Sequence, residues 1–396
     1  MVMKMQLTQK IIGLCVVAIA ITTAGCQKNT TPPVVINVTG NYIVSAAAKR
    51  QFTKDEVKNM YSPYGAAPYI RNGIRTYSIT YKTKTYTGAE VVASASVIVP
   101  DVPGPYALVN YNHGTFFPSD EWRVPSYNND FNSDINIGYV MAAVGYVVVS
   151  PDYIGYGSTK NLEHNYGDYH SIATNSIDAI RAAKEFCSSN NLILKNKLFL
   201  TGWSEGGTVT MAMVKKIQTD LASEFSITAA APLAGAYYGS FMASQAVQLN
   251  AESPYINSYA WVVKTYNKTG GINKPLSYYI NEPHATAFNL SVEAVIPKNP
   301  QLLFTGTFRQ NYLNNTEPMK AVFAQNDLWN FKPVCKTILC QGQNDTYVPA
   351  INAQQAYAYM QAQGADVALV IYPGKEHGEC IWDYLFTVYQ AFEPLR

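Results

Sequence analysis

Charge is scarce in this chain, and neither sign prevails. Only 14% of the 396 residues are charged; 29 Lys and Arg stand against 27 Asp and Glu, a formal net charge of +2. Lys4 and Lys10, near the N-terminus, account for that excess. A nearly neutral body carries no electrostatic footprint for DNA, RNA or an anionic membrane. Histidine is sparse too. The five present form no Cys/His ladder at zinc spacing and no H-E-x-x-H, so no metal and no cofactor is implied. The apolar run from Ile11 to Ala20 falls short of the length that crosses a bilayer. What the chain does have is 48% apolar and 13% aromatic content, far from the composition of disordered chains. Its length accommodates one large α/β domain with an insertion, or two ordinary domains.

Lys4 and Lys10 followed by that short apolar run make the charged and apolar regions of a secretory signal. The run leads to Thr23-Ala24-Gly25-Cys26, which resembles a bacterial lipoprotein box. The resemblance implies a signal peptide over residues 1–25, lipidation at Cys26 and a polar tether over 26–40. The protein is then expected in the bacterial cell envelope, held to the membrane by its lipid anchor only. Cys187, Cys335, Cys340 and Cys380 would sit in a compartment that permits disulfides, with their pairing open. Cys335 and Cys340, if in one strand, face opposite ways roughly 16 Å apart, too far to pair.

Thr53-Lys54-Asp55-Glu56 is a capping box that opens a short helix. Tyr77, Ile79 and Tyr81 alternate with polar residues, as do Val91, Ala93, Ala95, Val97 and Val99, which predicts an antiparallel hairpin with one buried face. From there the period switches repeatedly between strand and helix. Strands are expected at Tyr106–Tyr111, Tyr146–Ser150, Lys197–Thr201, Ile227–Leu233, Thr337–Gly342 and Val367–Tyr372. Helices are expected at Ile137–Val144, along the stripe Ala173, Ile177, Ile180, Ala183 and Cys187, and at Thr208–Leu221. Apolar strands alternating with helices predict an α/β protein with a mostly parallel, doubly wound sheet. Residues 236–334 do not continue the alternation; a structureless loop that long is not expected, so they are read as an inserted helical cap. The catalytic domain is then 41–235 with 335–396.

The segment that carries chemistry is Lys197 to Thr201 followed by Gly202-Trp203-Ser204-Glu205-Gly206-Gly207, a strand, then G-x-S-x-G, then a helix. A serine hydroxyl is a weak nucleophile unless a tight turn exposes it beside a base, and the flanking glycines let strand and helix approach. At this point the sequence resembles the α/β-hydrolase family. The resemblance implies an oxyanion donor after the third strand of the fold, where Asn112-His113-Gly114-Thr115 stands. The amides of Thr115 and Glu205 are the carried-over donors, and His113 is given a structural role in its own loop. It implies an acid in the G-x-x-D-x-x-V-P segment, Asp345 here, and a histidine after the last strand, His377. Ser204, Asp345, His377 is the chain order of the fold.

Asp152-Tyr153-Ile154-Gly155-Tyr156-Gly157 resembles the D-Y-x-G-x-G segment of the secretory-lipase branch, with Asp152 as a loop anchor. His164 and His170 read as satisfied structural histidines, and Glu205 as a first-turn acid favoured by the helix dipole. Glu376 and Glu379 stand close enough in sequence to orient the imidazole of His377. The reading that follows is a serine esterase or lipase acting through an acyl-enzyme on a small-molecule or lipid ester. Two alternatives stay open. Gly-Trp-Ser-x-Gly-Gly also resembles the elbow of prolyl-oligopeptidase-type peptidases, whose large extra domain has no room in the segment 41–90. The other is a non-enzymatic lipoprotein that binds a ligand in the cap cleft, which the aromatics Trp261, Tyr278, Tyr279, Phe304, Phe308 and Trp329 would line unless they are core.

Overall fold

A computed structural model describes residues 35–396 apart from 37 and 129–134. The signal peptide, Cys26 and most of the tether lie outside the described residues. The chain enters through β1 (Val35–Ile36), β2 (Ile43–Phe52), α1 (Lys54–Tyr61), β3 (Ile74–Lys84) and β4 (Glu90–Pro100). Then come β5 (Tyr106–Asn112), α2 (Ile135–Val144), β6 (Val147–Pro151), α3 (Tyr169–Ser189), β7 (Leu194–Trp203), α4 (Glu205–Asp220) and β8 (Ile227–Leu233). Helices alone follow: α5 (Gly239–Gln248), α6 (Ile256–Thr269), α7 (His284–Leu290), α8 (Pro300–Leu303), α9 (Gly306–Leu313) and α10 (Met319–Gln325). The chain closes with β9 (Lys336–Gly342), α11 (Ile351–Ala362), β10 (Val367–Tyr372) and α12 (Ile381–Phe392).

The strands form one sheet in the order β1-β2-β3-β4-β6-β5-β7-β8-β9-β10. Pairings from β1 through β6 are antiparallel, and those from β6 through β10 are parallel. Alternate side chains of each strand serve opposite faces. On β7, Leu198 and Leu200 pack with α3, α4 and α11, while Phe199 joins α1, α2 and α12 on the other side. This is the doubly wound arrangement that the alternation predicts, and it agrees with the fold that the α/β-hydrolase resemblance implies. The capping box is present, with Thr53 Oγ1 accepting from the Glu56 amide and Glu56 Oε2 from the Thr53 amide.

One expectation needs correction, and two features lie beyond what the sequence pattern shows. β2 was not foreseen from the sequence. Its register slips against β3 at Ile43/Ser45 and at Ala48/Arg50, so no clean alternation survives in its residues. β4 is buried on both faces rather than one, because Ser94 and Ser96 are satisfied inside the protein by Asp152 and Asn128. Small hydroxyl residues with partners pass for an exposed face in a sequence. The four described cysteines are all free thiols, each buried.

Residues 236–334 build most of a separate hydrophobic cluster, on Ile256, Trp261, Tyr279, Phe288, Phe308 and Tyr312, which Tyr166 joins from outside the segment. The two ends of this segment meet: the Leu328 amide donates to Tyr237 O at 2.8 Å, and Asp327 accepts from the Ser240 amide at 2.9 Å.

One buried phenol ties α12 to the sheet. Tyr384 OH bonds Thr201 Oγ1, donates to Ala231 O at 2.8 Å and accepts the Gly202 amide at 3.1 Å. Tyr384→Phe leaves these groups without that partner inside a dry core, so it should lower the unfolding free energy by about 1–3 kcal/mol. Urea denaturation reads this directly, and an unchanged midpoint with unchanged slope would contradict it.

Candidate active site

Four parallel strands deliver the predicted residues to one edge. β5 is followed by Thr115, β7 by Ser204, β9 by Asp345 and β10 by His377, and these strands run the same way along the sheet. Loops beyond the carboxyl ends of parallel strands are where such folds place their sites. Asn112 of β5 pairs with Gly202 of β7, so the loop holding Thr115 and the turn holding Ser204 leave the sheet side by side.

The Ser204 backbone sits at φ 59°, ψ −118°, a region that costs a non-glycine residue about 1–3 kcal/mol. Its neighbours allow the turn. A Cβ on Gly206 would stand 2.0 Å from Asn112 O, so only glycine lets α4 begin against the end of β5. The turn aims Ser204 Oγ at His377 Nε2, 2.8 Å away, and His377 Nδ1 donates to Asp345 Oδ2 at 2.7 Å. Asp345 is held in turn. Its Oδ1 accepts the amides of Tyr347 and Val348 at 2.9 and 2.8 Å, and Oδ2 accepts Gln341 Nε2 at 2.8 Å. Trp203 Nε1 donates to His377 O at 3.2 Å and fixes the histidine loop. Ser204, Asp345 and His377 are 6%, 5% and 9% exposed, so the chain of bonds is nearly sealed from water.

The secretory lipase family matches residues 130–377, more than half of the chain. The chain belongs to that family. It is a carboxylic ester hydrolase. Among solved structures, the rice cell wall degrading esterase LipA of Xanthomonas oryzae is similar at 24% identity with a TM-score of 0.79, covering 89% of this chain and 99% of that one. Candida antarctica lipase A is similar at 18% identity and TM-score 0.65, covering 89% of this chain and 82% of that one. These likenesses concern the fold. No curated protein matches by sequence.

In this lipase-family chain the remaining predicted residues fall as follows. The Thr115 side chain donates to Tyr166 OH at 3.2 Å. His113 is buried in its loop, with Nδ1 2.7 Å from Gly114 O and Nε2 3.2 Å from Asp152 O, between the rings of Phe116 and Tyr153. Asp152 anchors its loop as expected, accepting from Ser94 Oγ and the Ser126 amide. His164 is buried and bonded on both nitrogens. His170 is exposed on α3 instead of satisfied in the interior.

Glu205 is the first-turn acid of α4, as expected, but it is buried: it is 4% exposed and its Oε1 lies 2.8 Å from His164 Nε2. Neither Glu376 nor Glu379 turns toward the imidazole. Glu376 accepts from the Thr346 amide and hydroxyl, and Glu379 accepts from the Glu376 amide.

Sequence reasoning also missed Gln341 and Tyr347. Gln341 is a polar residue inside an apolar strand and could have been found on that signal alone. Tyr347 lies against the His377 ring at 4.9 Å and stacks on Tyr255, the N-cap of α6, at 3.9 Å, a contact no local pattern encodes. Of the six aromatics read as cleft-lining or core, Trp261, Tyr279, Phe304 and Phe308 are buried. Phe304 and Phe308 also wall a small apolar cavity of about 70 Å³ between α5 and α6, which Tyr169 and Ala236 line as well. Among the described residues, no cluster of His, Cys, Asp and Glu could hold a metal, and no helix is long and apolar enough to cross a membrane.

Burial lowers the His113 imidazole to about 3 and pushes the Asp152 carboxyl up to about 6. An unfolded His113 takes up a proton near pH ~6.5 while the folded one waits until about 3, so this group loses stability as pH falls through that window. Asp152 has the opposite sign: the folded carboxyl keeps a proton that the unfolded chain gives up near pH ~3.9, so its contribution falls as pH rises from there to about 6. In thermal melts across this range, His113→Gln should flatten the acid loss of stability and Asp152→Asn should steepen it. Changes of the same direction in both variants would contradict the assignment.

Proposed function

We propose that the ester hydrolysis proceeds through an acyl-enzyme on Ser204. The observation that carries this reading is the unbroken line of bonds from Ser204 Oγ through His377 to Asp345, with both imidazole nitrogens committed. His377 takes the Ser204 proton as Oγ attacks the acyl carbonyl, and then gives it to the departing alcohol. Asp345 accepts from Nδ1–H, which fixes the tautomer and stabilises the imidazolium; its other bonds keep it an acceptor in place. The amides of Glu205 and Thr115 receive the oxyanion, the first at the start of α4 where the helix leaves amides without partners. Water then attacks the acyl-enzyme with His377 again as base. No step calls on a cofactor.

Residues 236–334 act in this reading as a cap over a catalytic domain of 41–235 and 335–396. Support comes from α6, whose N-cap Tyr255 stacks on Tyr347 and whose Tyr259 OH donates to Tyr347 O, two residues from the acid. The substrate is a small-molecule or lipid ester. The family is one of exported enzymes. Cys26 supplies the lipid anchor to the cell envelope, on the strength of the N-terminal sequence.

Ser204→Ala deletes one oxygen and no packing, so ester hydrolysis should drop by several orders of magnitude with the thermal transition near that of the wild type. His377→Ala should cost about as much, and the double variant little more, because base and nucleophile act as one unit. Asp345→Asn should also be severe, since the neighbouring glutamates are engaged elsewhere. Full activity in Ser204→Ala rules the mechanism out. A panel of p-nitrophenyl esters of rising chain length tests the acyl preference, and faster cleavage of a prolyl amide than of any ester would favour the peptidase alternative. Cys26→Ser should move the protein from the membrane fraction to the soluble one, and unchanged fractionation would refute the anchor.

A further inference from the structure

The D-Y-x-G-x-G segment and the residues after it, 152–166, reach both halves of the proposed oxyanion site. Toward the loop after β5, Tyr153 OH donates to His113 O at 3.1 Å, Tyr156 OH bonds Phe116 O, and Tyr166 OH accepts from Thr115 Oγ1. Toward the start of α4, His164 Nε2 lies 2.8 Å from Glu205 Oε1. The two partners' side chains are 3% and 1% exposed.

The bonding pattern constrains the proton. His164 Nδ1 stands 2.8 Å from Ile154 O, an oxygen that only accepts, so Nδ1 carries hydrogen and donates. Nε2 and the Glu205 carboxyl then share one further proton, and while it is present the pair is neutral. Glu205 Oε2 has no hydrogen-bond partner among the described residues, so His164 is the group on which this carboxyl depends. The carboxyl belongs to the residue that follows the nucleophile and whose amide faces the oxyanion in the proposed mechanism. In so dry a place a bare negative charge there would oppose the negative charge that develops on the substrate oxygen.

We propose that His164 is a positioning residue for ester hydrolysis: it neutralises the Glu205 carboxyl and ties residue 205 to the same segment that braces Thr115. His164 does not touch substrate and is not the base, since both of its nitrogens are committed. This rests on the acyl-enzyme reading of Ser204. It also gives the D-Y-x-G-x-G segment a purpose, that of setting the two amides against each other.

The test compares the wild type, His164→Leu and His164→Leu/Glu205→Gln, at a temperature well below the melting point of each. It measures kcat, KM and the affinity for an aryl boronic acid, whose tetrahedral adduct puts an oxygen in the oxyanion site. His164→Leu strands the carboxyl, so kcat should fall about 100-fold, with boronate affinity falling in parallel and KM nearly unchanged. Adding Glu205→Gln removes the charge and should bring kcat back to within about tenfold of the wild type. A merely structural pair would shift the melting points and leave the kcat of the folded enzyme alone. Wild-type kcat in His164→Leu, or a double variant no faster than the single one, overturns the proposal. Should His164→Leu fail to fold, His164→Gln replaces it under the same criteria, because its amide donates to Glu205 without bringing a proton to share. Loss of the underlying reading looks different: Ser204→Ala would stay active, whatever the His164 variants did.

Discussion

Everything at this site depends on one strained residue. Ser204 holds a positive φ between the end of β7 and the first turn of α4, and it does so because the backbone on both sides leaves no alternative. Its amide donates to Leu233 O on β8, its carbonyl accepts from Thr208 within α4, and Gly206 presses on Asn112 of β5. The strain is held by a hydrogen bond to β8, by one within α4 and by the packing of Gly206 on the end of β5, and it places the hydroxyl above the sheet instead of within it. A serine in a relaxed turn at the same position would bury its oxygen among the strands.

The rest of the arrangement distributes tolerance unevenly. Asp345 accepts four hydrogen bonds counting that from His377, two of them from backbone amides, so its carboxylate has little freedom. The histidine loop is caught from two sides. Trp203, the residue before Ser204, bonds the His377 carbonyl, and Gly342 lets Lys375 O approach within 2.7 Å of where a Cβ would stand. A catalytic group set to within half an ångström needs supports of this kind. The contact of α6 with Tyr347 then couples the segment 236–334 to the acid loop through an aromatic stack and hydroxyl bonds.

Fold and chemistry are separate conclusions here. A sheet with helices on both faces hosts many activities, and similarity to LipA and to Candida antarctica lipase A at under a quarter identity speaks to that sheet. Ester hydrolysis comes from the secretory lipase family match, and the roles proposed for individual residues rest on the geometry of their bonds.

Much of this was legible in one dimension. Strand-to-helix periodicity, G-x-S-x-G between them, and the order Ser204, Asp345, His377 are local or ordered patterns, and the physics behind each acts within a few residues. The capping box at Thr53 and the run of β6 belong to the same class. β2 was not legible, because its slipped register erases the alternation that marks a strand, nor was the inner face of β4, where Ser94 and Ser96 are polar yet satisfied inside. Four free buried thiols could not be told from disulfide candidates, since pairing depends on distances that only the fold sets. The same holds for Glu205. By position it is an acid in the first turn of a helix, which ordinarily faces water; only the chain's return through residues 152–166 brings His164 to it and closes both off from solvent. Periodicity and motif follow from near neighbours along the chain, whereas the partner of a buried charge is chosen by packing between segments far apart in sequence.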